Sequence, residues 1–339
     1  MIQKKISPAR QGEGIRSIPF PDSSLFPAFL AIASFCLWVK CTTSLTEPEI
    51  GTINYSGISG RIAFCRAYDG GSYYIAVIDA TNKSSTMTKV TGVVFGTSVA
   101  LSPTSHEVVF SGLRGNDFGY KIFSLNGQTI SKLTDNKNQN LFPVYSANGA
   151  FIIYLYKDAQ ERLMRMNADG SSPVQMFTFG KPGSDSRFSL NKEGNRVAIA
   201  SQGAICLVAS DGSNLKTLVQ PGDSASLYDP AWSPQNDKIA FVSRQGPNEG
   251  NAPPFFFTIL CVDTLGAAID TIHTARQSSY FNDVQIAWSP DGSQIAFDTP
   301  KEGEGRPHIF VVDTAFKNVQ QITSGDGWDL GVSWVQSIP

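Results

Sequence analysis

The stretch Ile286-Ala287-Trp288-Ser289-Pro290-Asp291-Gly292-Ser293-Gln294-Ile295-Ala296-Phe297-Asp298 decides the fold. Two short apolar segments, Ile286–Trp288 and Ile295–Phe297, flank a Ser-Pro-Asp-Gly turn. Proline presets one backbone angle and glycine accepts the left-handed one, so the stretch predicts a tight hairpin. The pattern recurs. Trp232-Ser233-Pro234 leads to Ile239-Ala240-Phe241, and Leu101-Ser102-Pro103 leads to Val108-Val109-Phe110. Tyr145-Ser146 with Asn148-Gly149 leads to Ile152-Ile153-Tyr154, and Leu190 with Glu193-Gly194 leads to Val197-Ala198-Ile199. In all five the first large residue precedes the last by nine positions. Arg61-Ile62-Ala63-Phe64 repeats the second half alone.

The second-half anchors are Phe64, Phe110, Tyr154, Ile199, Phe241 and Phe297, separated by 46, 44, 45, 42 and 56 residues. A period in the forties with several short strands per unit indicates a β-propeller. A third strand follows in each unit, as in Tyr74–Ile78, Tyr120–Phe123, Ile205–Val208 and His308–Val312. Asn126-Gly127, Asp169-Gly170 and Asp211-Gly212 then supply hairpin turns. Polar fourth strands, Ile130–Thr134 and Val319–Thr323 among them, complete blades of four antiparallel strands. Six second strands mean six blades. The first unit lacks a good inner strand, because Gly51, Gly57 and Gly60 surround Tyr55-Ser56. Trp334 lies 46 residues beyond Trp288, so the C-terminal strand is expected to supply that inner strand and close the ring. Closure removes the open edge and covers a blade face.

Thirty Gly and nineteen Pro in 339 residues suit an all-β chain rich in turns. The net charge of −2 argues against a nucleic-acid footprint, which needs a basic face. Residues 1–41 differ from the rest. Lys4, Lys5, Arg10 and Arg16 precede a charge-free, largely apolar run from Ser23 to Val39. That order is the pattern of an export signal, with an uncleaved anchor, Pro27 near its start, as the alternative. Cys41 is a candidate lipid-attachment residue. The expected organisation is a signal or anchor over 1–41, a linker over 42–56 and the propeller over 57–339. Without residues 1–41 the chain keeps 22 basic and 27 acidic residues. Cys65, Cys206 and Cys261 fall on different predicted strands and read as small buried hydrophobes.

Ala231–Pro234 with Lys238–Phe241, and Ala287–Gly292 with Ile295–Phe297, resemble the repeat of TolB-type β-propellers. The Asp-Gly-Ser turns at Asp169 and Asp211 and the Leu133-Thr134 pair are similar to that family's blade ends. The likeness covers roughly residues 57–338 and is strict in blades 5 and 6. It implies a six-bladed ring, usually exported across the bacterial inner membrane, that binds proteins or peptides. The family also includes enzymes in which the propeller is an accessory. The α/β domain that precedes the propeller in TolB has no room between residues 42 and 57.

The Ser-Pro-Asp-Gly and Asp-Gly turns keep nearly constant length, whereas the connections from second to third strand vary. Blade 5 carries Ser243 to Pro254 followed by Phe255-Phe256-Phe257, and blade 6 carries Thr299 to Pro307. Variable loops on a rigid scaffold are where binding usually lives. The links entering the inner strands are expected to ring the channel mouth with Asn140, Phe142, Asp185, Arg187, Tyr228, Asp229, Asn282, Asp283, Trp328 and Asp329. This mixed aromatic and acidic rim suits a peptide or polar ligand; as turn caps, the same Asp and Asn residues would be structural. Phe255–Phe257 is expected to pack between blades.

No catalytic constellation emerges. His106, His273 and His308 lack metal-ligand spacing and read as surface or edge residues. There is no Gly-x-Ser-x-Gly elbow and no calcium-loop spacing. The expectation is a monomeric, non-catalytic binding protein of the cell envelope, without cofactor or metal, that engages a protein or peptide through its irregular face. Alternatives are a hydrolase or lyase using rim carboxylates, with or without a metal, and a carbohydrate binder stacking sugars on Trp328 or Tyr228.

Overall fold

Each Ser-Pro-Asp-Gly-type stretch closes its hairpin as its residues dictate. In the computed structural model, which describes residues 50–180, 187–222, 225–245, 255–277, 284–301 and 303–338, the turn recurs in five units. The amide of the first turn residue bonds the carbonyl five residues on: Ser102 to Glu107, Ser146 to Phe151, Asn191 to Arg196, Ser233 to Lys238 and Ser289 to Gln294. The left-handed residue is Gly292 in blade 6 (φ 74°), and Asn236 takes its place in blade 5 (φ 62°). The serine hydroxyl finishes the turn. Ser289 Oγ donates to Asp291 Oδ1 at 2.6 Å and accepts from the Gln294 amide at 2.9 Å.

The described strands form six sheets of four antiparallel strands each. In blades 2 to 6 the inner strands are Val94–Leu101, Gln139–Tyr145, Phe188–Leu190, Ala225–Trp232 and Ile286–Trp288. The inner strand of blade 1 is C-terminal Trp328–Val335, paired with Arg61–Tyr68 so that Ile62 faces Trp334 and Arg66 faces Asp329. The closure expected from the Trp288–Trp334 spacing is therefore present. The third strands fall where the sequence placed them, at Ser72–Asp79, Lys121–Asn126, Ala204–Ala209 and Pro307–Asp313. The threonine of the blade-end Leu-Thr pair has a physical role. Thr134 Oγ1 accepts from the Ile122 amide, and Thr323 Oγ1 from the Ile309 amide, both at 2.9 Å.

Second-strand anchors make the core. Phe64, Phe110, Phe241 and Phe297 are completely buried, and each buried aromatic of this size contributes roughly 1.5–3 kcal/mol. Phe257 bridges blades, its ring centroid 6.1 Å from that of Phe297, but Phe256 of the same triplet points outward and is exposed. The alternation of a strand puts neighbours on opposite sides. Cys65, Cys206 and Cys261 are buried free thiols, as expected. His308 corrects the sequence reading: it is buried, not an edge residue, with Nδ1 3.2 Å from Asp329 Oδ2.

Residues 50–60 form a strap along the seam between blades 6 and 1. It begins at the inter-blade links, where Arg66 donates to the Ile50 carbonyl and a Cβ on Gly51 would lie 2.6 Å from the Ser324 carbonyl oxygen. It runs past the outer strand of blade 6, with Asn54 N bonding Ile322 O at 2.9 Å and Gln320 Nε2 bonding Ser56 O at 2.8 Å. It ends by the Ser-Pro-Asp-Gly turns, where Trp334 Nε1 donates to Ser59 O at 2.7 Å. Ile50 and Ile58 are buried against Ile62, Phe64, Ile309 and Ile322.

Candidate functional site: the channel mouth

Six inner strands enclose a central cavity of about 340 Å³. Its walls are narrow in chemistry. The residue just before each inner-strand anchor is small: Ala100, Val144, Ser189, Ala231, Ala287 and Ser333. Ser189 Oγ and Ser333 Oγ accept from the amides of Trp232 and Leu101 in the next blade, at 3.1 and 3.0 Å. The wall is thereby stitched from blade to blade.

Three residues ahead of each anchor the sequence reads Ser98, Phe142, Arg187, Asp229, Gln285 and Gly331. These positions form the mouth, on the face that also carries the second-to-third connections. The backbone there is irregular. The register of inner against second strand shifts between Leu141 and Val144, between Tyr228 and Ala231, and between Leu330 and Ser333. In each case two inner-strand residues oppose one second-strand anchor, Tyr154, Phe241 or Phe64, which is a β-bulge. The first bulge residue is left-handed: Phe142 at φ 53°, Asp229 at φ 48° and Gly331 at φ 68°. Pro143 and Pro230 follow, at positions where a missing N–H leaves the ladder intact. Glycine adopts this conformation freely, whereas a bulky residue held there costs on the order of 1–3 kcal/mol.

Phe142 and Asp229 use that conformation to frame Arg187. The Arg187 guanidinium sits over the Phe142 ring, 4.6 Å from its centroid, and Nη1 lies 3.5 Å from Asp229 Oδ1. Asp229 Oδ2 also accepts from the Ile286 amide at 2.6 Å, tying blade 5 to blade 6. The result is a cation clamped between an aromatic face and a carboxylate at the entrance of a small-residue channel.

Other expected rim residues are placed differently. Asn140 is completely buried; its amide donates to the carbonyls of Tyr120 and Asn138 and to Asn136 Oδ1. Asp329, five residues before its anchor as Asn140 is, is completely buried too. It takes Arg66 Nε at 2.6 Å and Nη2 at 2.7 Å, and Thr323 Oγ1 at 2.5 Å. Both residues latch an inner strand to the preceding blade. Tyr228 is buried in the core of blade 5, and Trp328 is half-buried opposite Ala67. Asp185, Asn282, Asp283 and Cys41 lie outside the described residues, as do residues 246–254 of the blade 5 connection. Among the described residues no group of three or more His, Cys, Asp or Glu is arranged to hold a metal ion.

The sequence reading missed Ser98, Gln285 and Asp298. Ser98 Oγ lies 3.2 Å from Ser111 Oγ. Asp298 is completely buried and organises the mouth from beneath: Oδ1 accepts from Gln285 N at 2.5 Å and Oδ2 from Gly331 N at 2.8 Å. A carboxylate directly after the Ile-Ala-Phe core segment was the available signal, because a buried charge must be paired or hydrogen-bonded.

No protein-family model matches the chain. An uncharacterized protein of Agrobacterium fabrum is 26% identical over 155 residues, 42% of this chain and 52% of its own, so the chain spans about half the length of that curated relative. TolB from Acinetobacter baumannii superposes with a TM-score of 0.66 at 15% identity, over 82% of this chain and 67% of that one. Hydrazine synthase of Kuenenia stuttgartiensis reaches 0.58 at 12% identity, over 81% of this chain and 46% of that one. Likeness at 12–15% identity shows the fold alone, so function must be argued from the mouth and not from the ring. The chain is a six-bladed β-propeller with the fold of the TolB propeller.

Proposed function

We propose that the chain is a non-catalytic binding protein of the bacterial cell envelope that takes a protein or peptide at the channel mouth. In this reading residues 1–41 direct export or provide the anchor, and the propeller works on the outer side of the inner membrane. One observation carries the site. At the bulge where blade 1 uses Gly331, blades 3 and 5 hold Phe142 and Asp229 in the left-handed region, and both side chains converge on Arg187. Backbone strain of this kind collects at ligand sites because the surrounding structure pays it to aim particular side chains. The cavity of about 340 Å³ beneath the mouth leaves room for a side chain of a bound segment. The likeness to TolB supports placement in the envelope.

The test is photo-crosslinking in the intact envelope from a probe at the exposed mouth-face residue Phe118, comparing wild type with Arg187→Ala and Phe142→Gly. A crosslinked partner that disappears in both variants, while the denaturation midpoint is retained, supports the assignment. Equal capture by all three proteins places the binding surface elsewhere.

A further inference from the structure

The strap fixes the side from which the upstream chain leaves the ring. Gly57 to Gly60 lie at the Ser-Pro-Asp-Gly face: Gln294 Nε2 donates to Gly57 O at 3.1 Å, and a Cβ on Gly60 would lie 3.2 Å from Pro290 Cγ. Ile50 and Thr52 lie at the opposite face, that of the inter-blade links and the channel mouth. Arg66 holds the Ile50 carbonyl, and Ser324 Oγ donates to Thr52 O at 3.2 Å. Arg66 is itself immobilised by Asp329 and by the Ser324 carbonyl at 3.0 Å, so this exit is built into the buried ion pair of the closing seam. Ile50, Ile53, Tyr55 and Ile58 add apolar contact along the whole seam. The exit is therefore held at the mouth face by these hydrogen bonds and by burial of Ile50 and Ile58.

We infer that, where residues 1–41 attach the protein to a membrane, the channel mouth and the irregular loops face that membrane and the Ser-Pro-Asp-Gly turns face away. The inference rests on the anchoring part of the proposed function. Residues 42–49 reach at most about 30 Å when fully extended, which is close to the thickness of the ring itself. The Arg187 mouth then opens onto the bilayer surface, and the partner that fits it is one presented at that surface: a lipid-anchored or membrane-embedded protein with a segment protruding a few tens of ångströms.

The experiment uses the full chain in vesicles of phosphatidylethanolamine and phosphatidylglycerol that carry an acceptor-labelled lipid. p-Azidophenylalanine replaces either Phe118, 74% exposed on the mouth face, or Phe316, 78% exposed on the turn face, and is clicked to a donor dye. Both positions are solvent-facing aromatics, so the fold is retained. Strands of about eight residues separate the faces by roughly 25 Å, so transfer from position 118 should exceed that from position 316 on the order of twofold. Equal or reversed transfer from protein that floats with the vesicles overturns the orientation and leaves the attachment standing. Protein that stays in the soluble fraction overturns the attachment and the orientation with it. Neither result touches capture at Arg187, which the crosslinking measures separately.

Discussion

Replacing Arg66 with methionine tests the closing seam directly. Arg66 and Asp329 are both completely buried, and their bidentate contact joins the N-terminal half of blade 1 to its C-terminal strand. Arg66 further holds the strap at Ile50 and the link at Ser324, while Asp329 also receives Thr323. Methionine fills most of the arginine stem but leaves the Asp329 carboxylate buried with its largest partner gone. Breaking a buried pair from one side costs about 3–5 kcal/mol, far more than a surface ion pair, because the remaining charge is uncompensated. Urea denaturation should show that loss as a lower midpoint. Limited proteolysis should cut near residues 50–56 faster in the variant than in the wild type, where the strap is hydrogen-bonded to blade 6. The double variant Arg66→Met, Asp329→Leu should lose less than the two single variants together, since no charge is then stranded. A loss below about 1 kcal/mol for Arg66→Met, with the strap cut no faster than in the wild type, would refute the view that this ion pair locks the ring.

Three other outcomes are expected. Trp232 Nε1 is buried without a partner, whereas Trp288 Nε1 donates to Ala231 O at 3.0 Å. Trp288→Phe should therefore cost about 1 kcal/mol more than Trp232→Phe in paired denaturation curves, because only the former removes a hydrogen bond, that to the part-buried Ala231 carbonyl. Asp298→Asn turns one of two acceptors of backbone N–H groups into a donor. It should lower stability by roughly 1.5–3 kcal/mol and weaken partner capture at the mouth; unchanged capture with lowered stability would show that Asp298 serves the fold alone. The carboxyl of Asp291 is held below its ordinary 3.8 first by the Ser289 hydroxyl, against a smaller opposing effect of burial, with further help from Ser293. A folded pKa below the unfolded one gives stability that is present above the unfolded value and lost as pH falls through the folded one. Asp169 and Asp211 are shifted the same way by the serines of their turns. Stability should thus fall below about pH 4, and Asp291→Asn should flatten that fall.

Much of the architecture was legible in the chain. The spacing from Trp288 to Phe297 repeated around the ring, and the Trp288–Trp334 interval announced the closing strand that pairs with Arg61–Tyr68. These features are local: a turn needs proline and glycine at given places, a blade interface needs an aromatic at a given place, and both recur with the unit. The mouth was only half legible. Phe142, Arg187 and Asp229 were in the expected rim and do converge, but Asn140, Asp329 and Tyr228 from the same links turn inward.

The difference lies in register. On a regular strand, alternation alone tells which side chains face the channel and which face the neighbouring blade. The bulges at Phe142, Asp229 and Gly331 insert one residue each, so every side chain before them changes sides relative to those after. Only packing against Tyr154, Phe241 and Phe64 of the second strands reveals that shift. The repeat in the amino-acid sequence determined the ring and its closure, because those follow from short-range turn and strand chemistry. Which side chains meet at the mouth, and where the strap leaves the seam, was decided by contacts between segments far apart in the chain, which no local pattern records.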